Sequence, residues 1–151
     1  MHISGQCHCG AISFTALVDP SKVVVCHCAD CQAFSGAPFR AVVPTPVDKV
    51  TLTGEPRLYV KVAASGNRRA QAFCADCGTQ LYATEPDAPK TLNFRLGCVN
   101  ERAQLTPVVQ IWGQSAQAWV NTLSAVPCHA MGLNSARMST VSVSSPASPA
   151  P

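Results

Sequence analysis

Seven of the nine cysteines in this 151-residue chain fall into short groups whose spacing suits metal binding. Gln6-Cys7-His8-Cys9-Gly10 places two sulfurs two residues apart. On an extended strand such residues project from one face, so both can reach a single ion. Phe73-Cys74-Ala75-Asp76-Cys77-Gly78 is a Cys-x-x-Cys turn followed by glycine, which lets the chain double back where a Cβ would be strained. Together the two pairs offer four thiolates, a closed tetrahedral set for zinc at about 2.3 Å per bond with no position left for a substrate. Redox exchange at Cys74 and Cys77 would require a βαβ setting that the surrounding sequence does not offer.

The third group, Val25-Cys26-His27-Cys28-Ala29-Asp30-Cys31-Gln32, runs a same-face pair directly into a second Cys-x-x-Cys turn. Three protein sulfurs with a vacant fourth position are the pattern of a reactive zinc, because an incoming group can coordinate there and lose its proton. Cys26, Cys28 and Cys31 are therefore the candidate catalytic set. His8 and His27 each stand between two cysteines and should point away from the metal their neighbours bind. Cys98 and Cys128 read as small buried hydrophobes. If Cys98 instead closed the fourth position of the second site, that zinc would be structural.

The elements that must position these groups are short strands. Alternation predicts them near Ile3–His8, Ala11–Leu17, Val23–His27, Phe39–Val43, Val50–Thr53, Arg57–Val62, Ala70–Phe73, Gln80–Ala83, Thr91–Leu96 and Val108–Trp112. Twelve prolines and nine glycines punctuate the chain, and breakers such as Pro44–Pro46 and Gly54 fall where strands should stop. Ala29–Phe34 alone reads as a short helical turn. The expectation is an all-β domain of short antiparallel strands over residues 1–135. Residues 136–151, rich in Ser, Ala and Pro, should form a flexible tail that cannot bury enough surface to order itself.

The N-terminus shows no charged start followed by a long apolar run, and no stretch is apolar enough to span a bilayer, so a cytoplasmic protein with no membrane partner is expected. In a reducing compartment an odd number of cysteines favours metal over disulfides. The formal charge of +3 counts thiols as neutral. Seven thiolates subtract seven and two dications add four, which takes the balance to zero, so the basic pI does not indicate a polyanion. With 6% aromatic residues and no long basic stripe, a nucleic-acid partner is not expected.

Taken in order, Gly5-x-Cys-His-Cys-Gly-Ala-Ile12, Cys26-His-Cys-x-x-Cys-Gln32 with Ser35-Gly36, Phe73-Cys-x-x-Cys-Gly78 and a late Ile111-Trp112 resemble the glutathione-dependent formaldehyde-activating enzyme family, to which the centromere protein V domain also belongs. The match covers roughly residues 3–120. It implies a zinc-pinned fold of the β-tent type with two Zn2+ per chain. The set matching Cys7, Cys9, Cys74 and Cys77 would be structural, and the set matching Cys26, Cys28 and Cys31 catalytic. The implied activity is that of a carbon–sulfur lyase joining a small thiol, glutathione, to formaldehyde as S-hydroxymethylglutathione. The alternative is a non-catalytic zinc module that binds protein. The two carboxylates of glutathione call for cations in the pocket, with Arg40, Arg57, Lys61, Arg68, Arg69, Arg95 and Arg102 as unranked candidates. Gly97-Cys98-Val99-Asn100 departs from the Thr-Leu-Asp-Asp that many family members carry there. The oligomeric state is not legible.

Overall fold

Strands dominate the computed structural model, which describes residues 1–63 and 65–138. In chain order they are β1 (His2–Gln6), β2 (Ser13–Leu17), β3 (Val24–Cys26), β4 (Arg40–Pro46), β5 (Val50–Thr53), β6 (Arg57–Val62), β7 (Arg68–Phe73), β8 (Gln80–Thr84), β9 (Thr91–Arg95), β10 (Val109–Ile111), β11 (Cys128–His129) and β12 (Arg137–Met138). Among the described residues one α-helix, α1 (Ala29–Ser35), follows β3, and short 3-10 turns link other strands. The ten strands expected from alternation are present, each boundary within three residues of its expected place.

Two large sheets build the domain, and β11 with β12 forms a separate two-stranded one. One has three strands in the order β1-β2-β5, and the other seven in the order β10-β3-β4-β9-β8-β7-β6. The pairings are antiparallel except β10 against β3, which is parallel. That exception to the expected antiparallel pattern arises because the chain returns to β3 after crossing the whole sheet rather than by a hairpin.

The sheets meet through an aromatic seam. Phe14 of β2 stacks on Phe94 of β9 with centroids 4.2 Å apart, and Tyr82 of β8 meets Phe94 edge-on at 5.6 Å. Ile3, Ile12, Val43, Leu81, Val99 and Leu105 fill the space around them. Gly5 is required at this seam, since a Cβ there would lie 2.2 Å from the Cys98 carbonyl oxygen and 2.3 Å from Phe14.

Because side chains alternate across a strand, the register separates the two faces of the large sheet. Val43, Phe94, Tyr82 and Ala72 lie on one row facing the core, whereas Asn93, Ala83 and Gln71 form the adjacent row on the other face, joined there by Arg95 opposite Val42. The buried Arg40, Gln71 and Arg95 thus share the side where the cleft lies, whereas the buried Thr45 and Thr84 sit on the core row.

Several expectations require correction. Pro44 and Pro46 do not end β4, which runs through them. β3 pairs only with Arg40–Val42, so the prolines fall where that edge is free and their missing N–H groups cost no ladder bond to β3. Cys7 and Cys9 sit in a turn after β1 rather than on a strand. The 3-10 stretch Ala118–Ala125, none of whose residues is buried, was not anticipated. Arg137 and Met138, placed in the tail by composition, pair with His129 and Cys128. Residues 139–151 of the expected tail lie outside the described residues.

Candidate functional site

The first sulfur group is assembled from two matching turns. After β1, the Cys7 N–H donates to the Ile12 carbonyl at 2.9 Å and the Gly10 N–H to the Cys7 carbonyl at 3.0 Å. After β7, the Cys74 N–H donates to Thr79 at 3.0 Å and the Gly78 N–H to Cys74 at 2.9 Å. Both glycines have positive φ, 81° and 72°, which closes each turn without a Cβ clash. The turns face each other, and the sulfurs of Cys7, Cys9, Cys74 and Cys77 all lie within 4.8 Å of one another. Cys7 Sγ is 3.5 Å from Cys9 Sγ, and Cys9 Sγ is 3.7 Å from Cys74 Sγ. Sulfurs at the corners of a tetrahedral zinc shell stand about 3.8 Å apart, so the donor set fits that ion.

The second group forms where β3 runs into α1. Cys26 ends β3, and Cys28 is the N-cap of α1, its sulfur accepting the Cys31 N–H at 3.4 Å. Gly36, with φ 61°, ends this seven-residue helix about two turns after its cap. The sulfurs of Cys26, Cys28 and Cys31 also lie within 4.8 Å of one another. Neither histidine ring joins a sulfur group. His8 is exposed, while the buried His27 ring shares a 2.7 Å hydrogen bond between Nε2 and Gln110 Oε1. Cys98 does not close the second set: its Sγ donates to the Arg95 carbonyl at 3.1 Å and packs in the core.

Thiol acidity differs around each group. In the first, the Thr79 hydroxyl, 3.1 Å from Cys77 Sγ, draws the Cys77 thiol down to about 5. The Ala11 amide pulls Cys9 the same way, but hydrogen bonding with Cys7 and Cys77 outweighs it and pushes Cys9 up to about 12. In the second, the contact with Cys31 holds Cys26 below the ordinary thiol value, while that contact and burial raise Cys31. Burial opposes ionisation of Cys7, but hydrogen bonds from the Ile12 amide and from Cys9 and Cys74 outweigh it and hold that thiol below its ordinary value too. The first group therefore offers two sulfurs inclined to be thiolates and the second group one, the form a metal requires.

A cleft of about 280 Å³ opens beside the second group, near the small end of the roughly 300–1,000 Å³ typical of small-molecule sites. Of the seven cationic candidates, Arg40, Lys61, Arg69 and Arg95 line it. Lys61 pairs with Asp30 of α1, and Arg69 with Glu85 at 2.6 Å. Arg68 is exposed and pairs with Asp87 at 2.7 Å, Arg102 donates to the Val99 carbonyl, and Arg57 is exposed. On the floor of the cleft, Arg40 Nη2 donates to Cys31 Sγ at 3.0 Å. Gln71 Oε1 accepts from Arg40 Nη1 at 3.3 Å and from Arg95 Nη2 at 2.7 Å. Burial, with the Arg40 charge beside it, pulls Arg95 down to about 9, still cationic at neutral pH. Arg40 and Arg95 also wall a neighbouring cavity of about 430 Å³ with Phe34, Phe39 and Gln80.

Gln71 and Asn93 were absent from the candidates read from sequence. Their signal was a polar residue at alternate positions of an apolar strand, which acquires meaning only once register shows that they share a face. Gln32, part of the third cysteine motif, has a supporting place: its Nε2 donates to the His27 and Ser115 carbonyls at 2.6 and 2.9 Å, tying α1 to the segment that carries Trp112.

Residues 2–115 match the family described as glutathione-dependent formaldehyde-activating enzyme, and the chain belongs to that family. The matched stretch contains all seven clustered cysteines. The chain is also similar to a Schizosaccharomyces pombe protein named an uncharacterized lyase, with 33% identity over 78 residues. That alignment covers 52% of this chain and 54% of the relative, so the chain spans about half the length of that relative. A crystal structure of a Rhodobacter sphaeroides protein shares the fold at a TM-score of 0.53 and 18% identity, over 71% of this chain and 98% of that one. Among the described residues no helix is long and apolar enough to cross a membrane.

Proposed function

We propose that this chain is a carbon–sulfur lyase that joins a small thiol to an aldehyde and reverses that step, with glutathione and formaldehyde as the pair and S-hydroxymethylglutathione as the adduct. Cys7, Cys9, Cys74 and Cys77 hold a structural zinc, and Cys26, Cys28 and Cys31 a catalytic one. The observation that carries the reading is the contrast between the two groups: four sulfurs in a closed set between two turns, and three sulfurs beside a cation-lined cleft. The family match and the lyase name of the S. pombe relative support it.

A zinc ion bound at the three sulfurs would supply Lewis acidity and favour the thiolate form of an incoming thiol. The chain's own residues do the rest. Arg40 fixes the Cys31 sulfur through its Nη2 and offsets part of the charge of three thiolates. Gln71 holds the forks of Arg40 and Arg95 in place, and the Lys61–Asp30 pair joins β6 to α1 at the cleft. Confining thiol and aldehyde together makes their encounter nearly intramolecular. The balance is simple: the S–C bond forms as the carbonyl π bond opens, and the proton lost from sulfur is matched by the one gained at oxygen.

The test is the rate of adduct formation from glutathione and formaldehyde, followed by NMR against the spontaneous reaction. The wild type should accelerate it, and Cys28→Ser should abolish the gain while its circular dichroism stays native. No acceleration across several thiols and aldehydes would end the lyase reading.

A further inference from the structure

The floor of the cleft holds two guanidinium groups and no carboxylate. Arg40 and Arg95 are 9% and 5% exposed. Every ion pair among the described residues involves other cations. Both arginines share one neutral acceptor, Gln71 Oε1, and the Nε atom of each is buried without a partner. Burying like charges side by side is costly, and an amide oxygen offsets little of it.

The two arginines are not equivalent. Arg40 is accounted for in part by the Cys31 sulfur. Arg95 reaches only Gln71 and, at 3.4 Å, the Asn93 carbonyl. The cations that already have carboxylate partners, Lys61 and Arg69, line the same cleft, so the missing anion is specific to Arg95 and its neighbour. A guanidinium fork held by packing between strands is suited to a planar carboxylate.

We propose that Arg95, with Arg40 beside it, forms a carboxylate-binding subsite, and that the substrate is a thiol carrying a carboxylate a few bonds from its sulfur. The proposal rests on the reading that the three-sulfur group receives a thiol. The short spacing follows from Arg40, which touches Cys31 Sγ and thereby places the guanidinium pair directly behind the sulfurs. A ligand that engages both must keep its sulfur and its anion close together.

The experiment is calorimetric binding to the full, metal-loaded chain of three probes: 3-mercaptopropionate, its neutral analogue 3-mercaptopropionamide, and propionate. The acid thiol should bind the wild type about tenfold or more tighter than the amide, as expected for charge-assisted hydrogen bonds. Arg95→Gln should bring that ratio to about one by weakening the acid far more than the amide, and Arg95→Lys should restore part of it. Equal binding of acid and amide by the wild type, or a preference that survives in Arg95→Gln, overturns the subsite and leaves the thiol reading intact. Propionate binding that depends on Arg95, with no binding of the amide thiol, overturns the thiol reading and keeps the anion site. Failure of all three probes to bind overturns both. Should Arg95→Gln fail to fold, the wild-type ratio decides alone.

Discussion

Replacing Cys74 by serine should unfold this protein far more readily than replacing Cys28, although each change removes one sulfur. Cys9 and Cys74 are 65 residues apart in sequence, and the zinc proposed for their group would tie the turn after β1 to the turn after β7. A cross-link closing a loop of that length removes about 4 kcal/mol of chain entropy from the unfolded state. Cys26 and Cys31 enclose only six residues, for which the same relation yields about 2 kcal/mol. Burial points the same way, since Cys7 and Cys74 belong to the core whereas Cys28 lies at the cleft. Against a total stability of about 5–15 kcal/mol, a 4 kcal/mol loss should lower Tm by about 15 °C for a domain of this size. Thermal unfolding of the two variants followed by circular dichroism measures the difference. A Cys74→Ser protein that melts within a few degrees of wild type, or no higher loss than for Cys28→Ser, would refute the reasoning.

Phe94→Ala should cost about 3–5 kcal/mol in denaturant titration, because it removes the ring that joins Phe14 and Tyr82 across the sheets. Gly5→Ala should lower stability by about 1–3 kcal/mol in the same assay, since the new methyl meets the Cys98 carbonyl oxygen and Phe14. Partial burial pulls the Glu101 carboxyl up, but hydrogen bonds from the Ser4 backbone and hydroxyl at 2.8 and 3.0 Å more than offset it and hold the group below its ordinary 4.5. Its contribution is therefore complete above that value and is lost as pH falls toward the folded value, so Glu101→Gln should flatten the acid limb of a Tm-versus-pH curve.

Local patterns were the legible part of this chain. Cysteine spacing marks each pair and the triplet because each turn brings its own sulfurs together, whereas the four-sulfur group forms only where the fold sets the turn after β1 against the turn after β7. Strand alternation likewise survives, since Phe94 and Leu92 alternate with Asn93 and Arg95 whichever strand lies beside them. What the sequence leaves open depends on pairing at a distance. Arg40 and Arg95 could not be separated from Arg57 or Arg68 until β4 was seen beside β9, which sets Val42 opposite Arg95. Pro44 and Pro46 signal a stop by their chemistry, yet β4 continues because its neighbour β3 has already ended. The turn at Cys7 was misread as strand since hydrogen bonds from Gly10 and Ile12 to Cys7, not residue preference, bend it. β11 and β12 are two residues each, too short for alternation to register.

Native mass spectrometry of the purified chain puts the two-site account to its sharpest test. The wild type should carry two zinc ions, and the variant with Cys26, Cys28 and Cys31 all changed to serine should carry one while remaining folded. A wild type with a single ion, or a triple variant that still holds two, would contradict it.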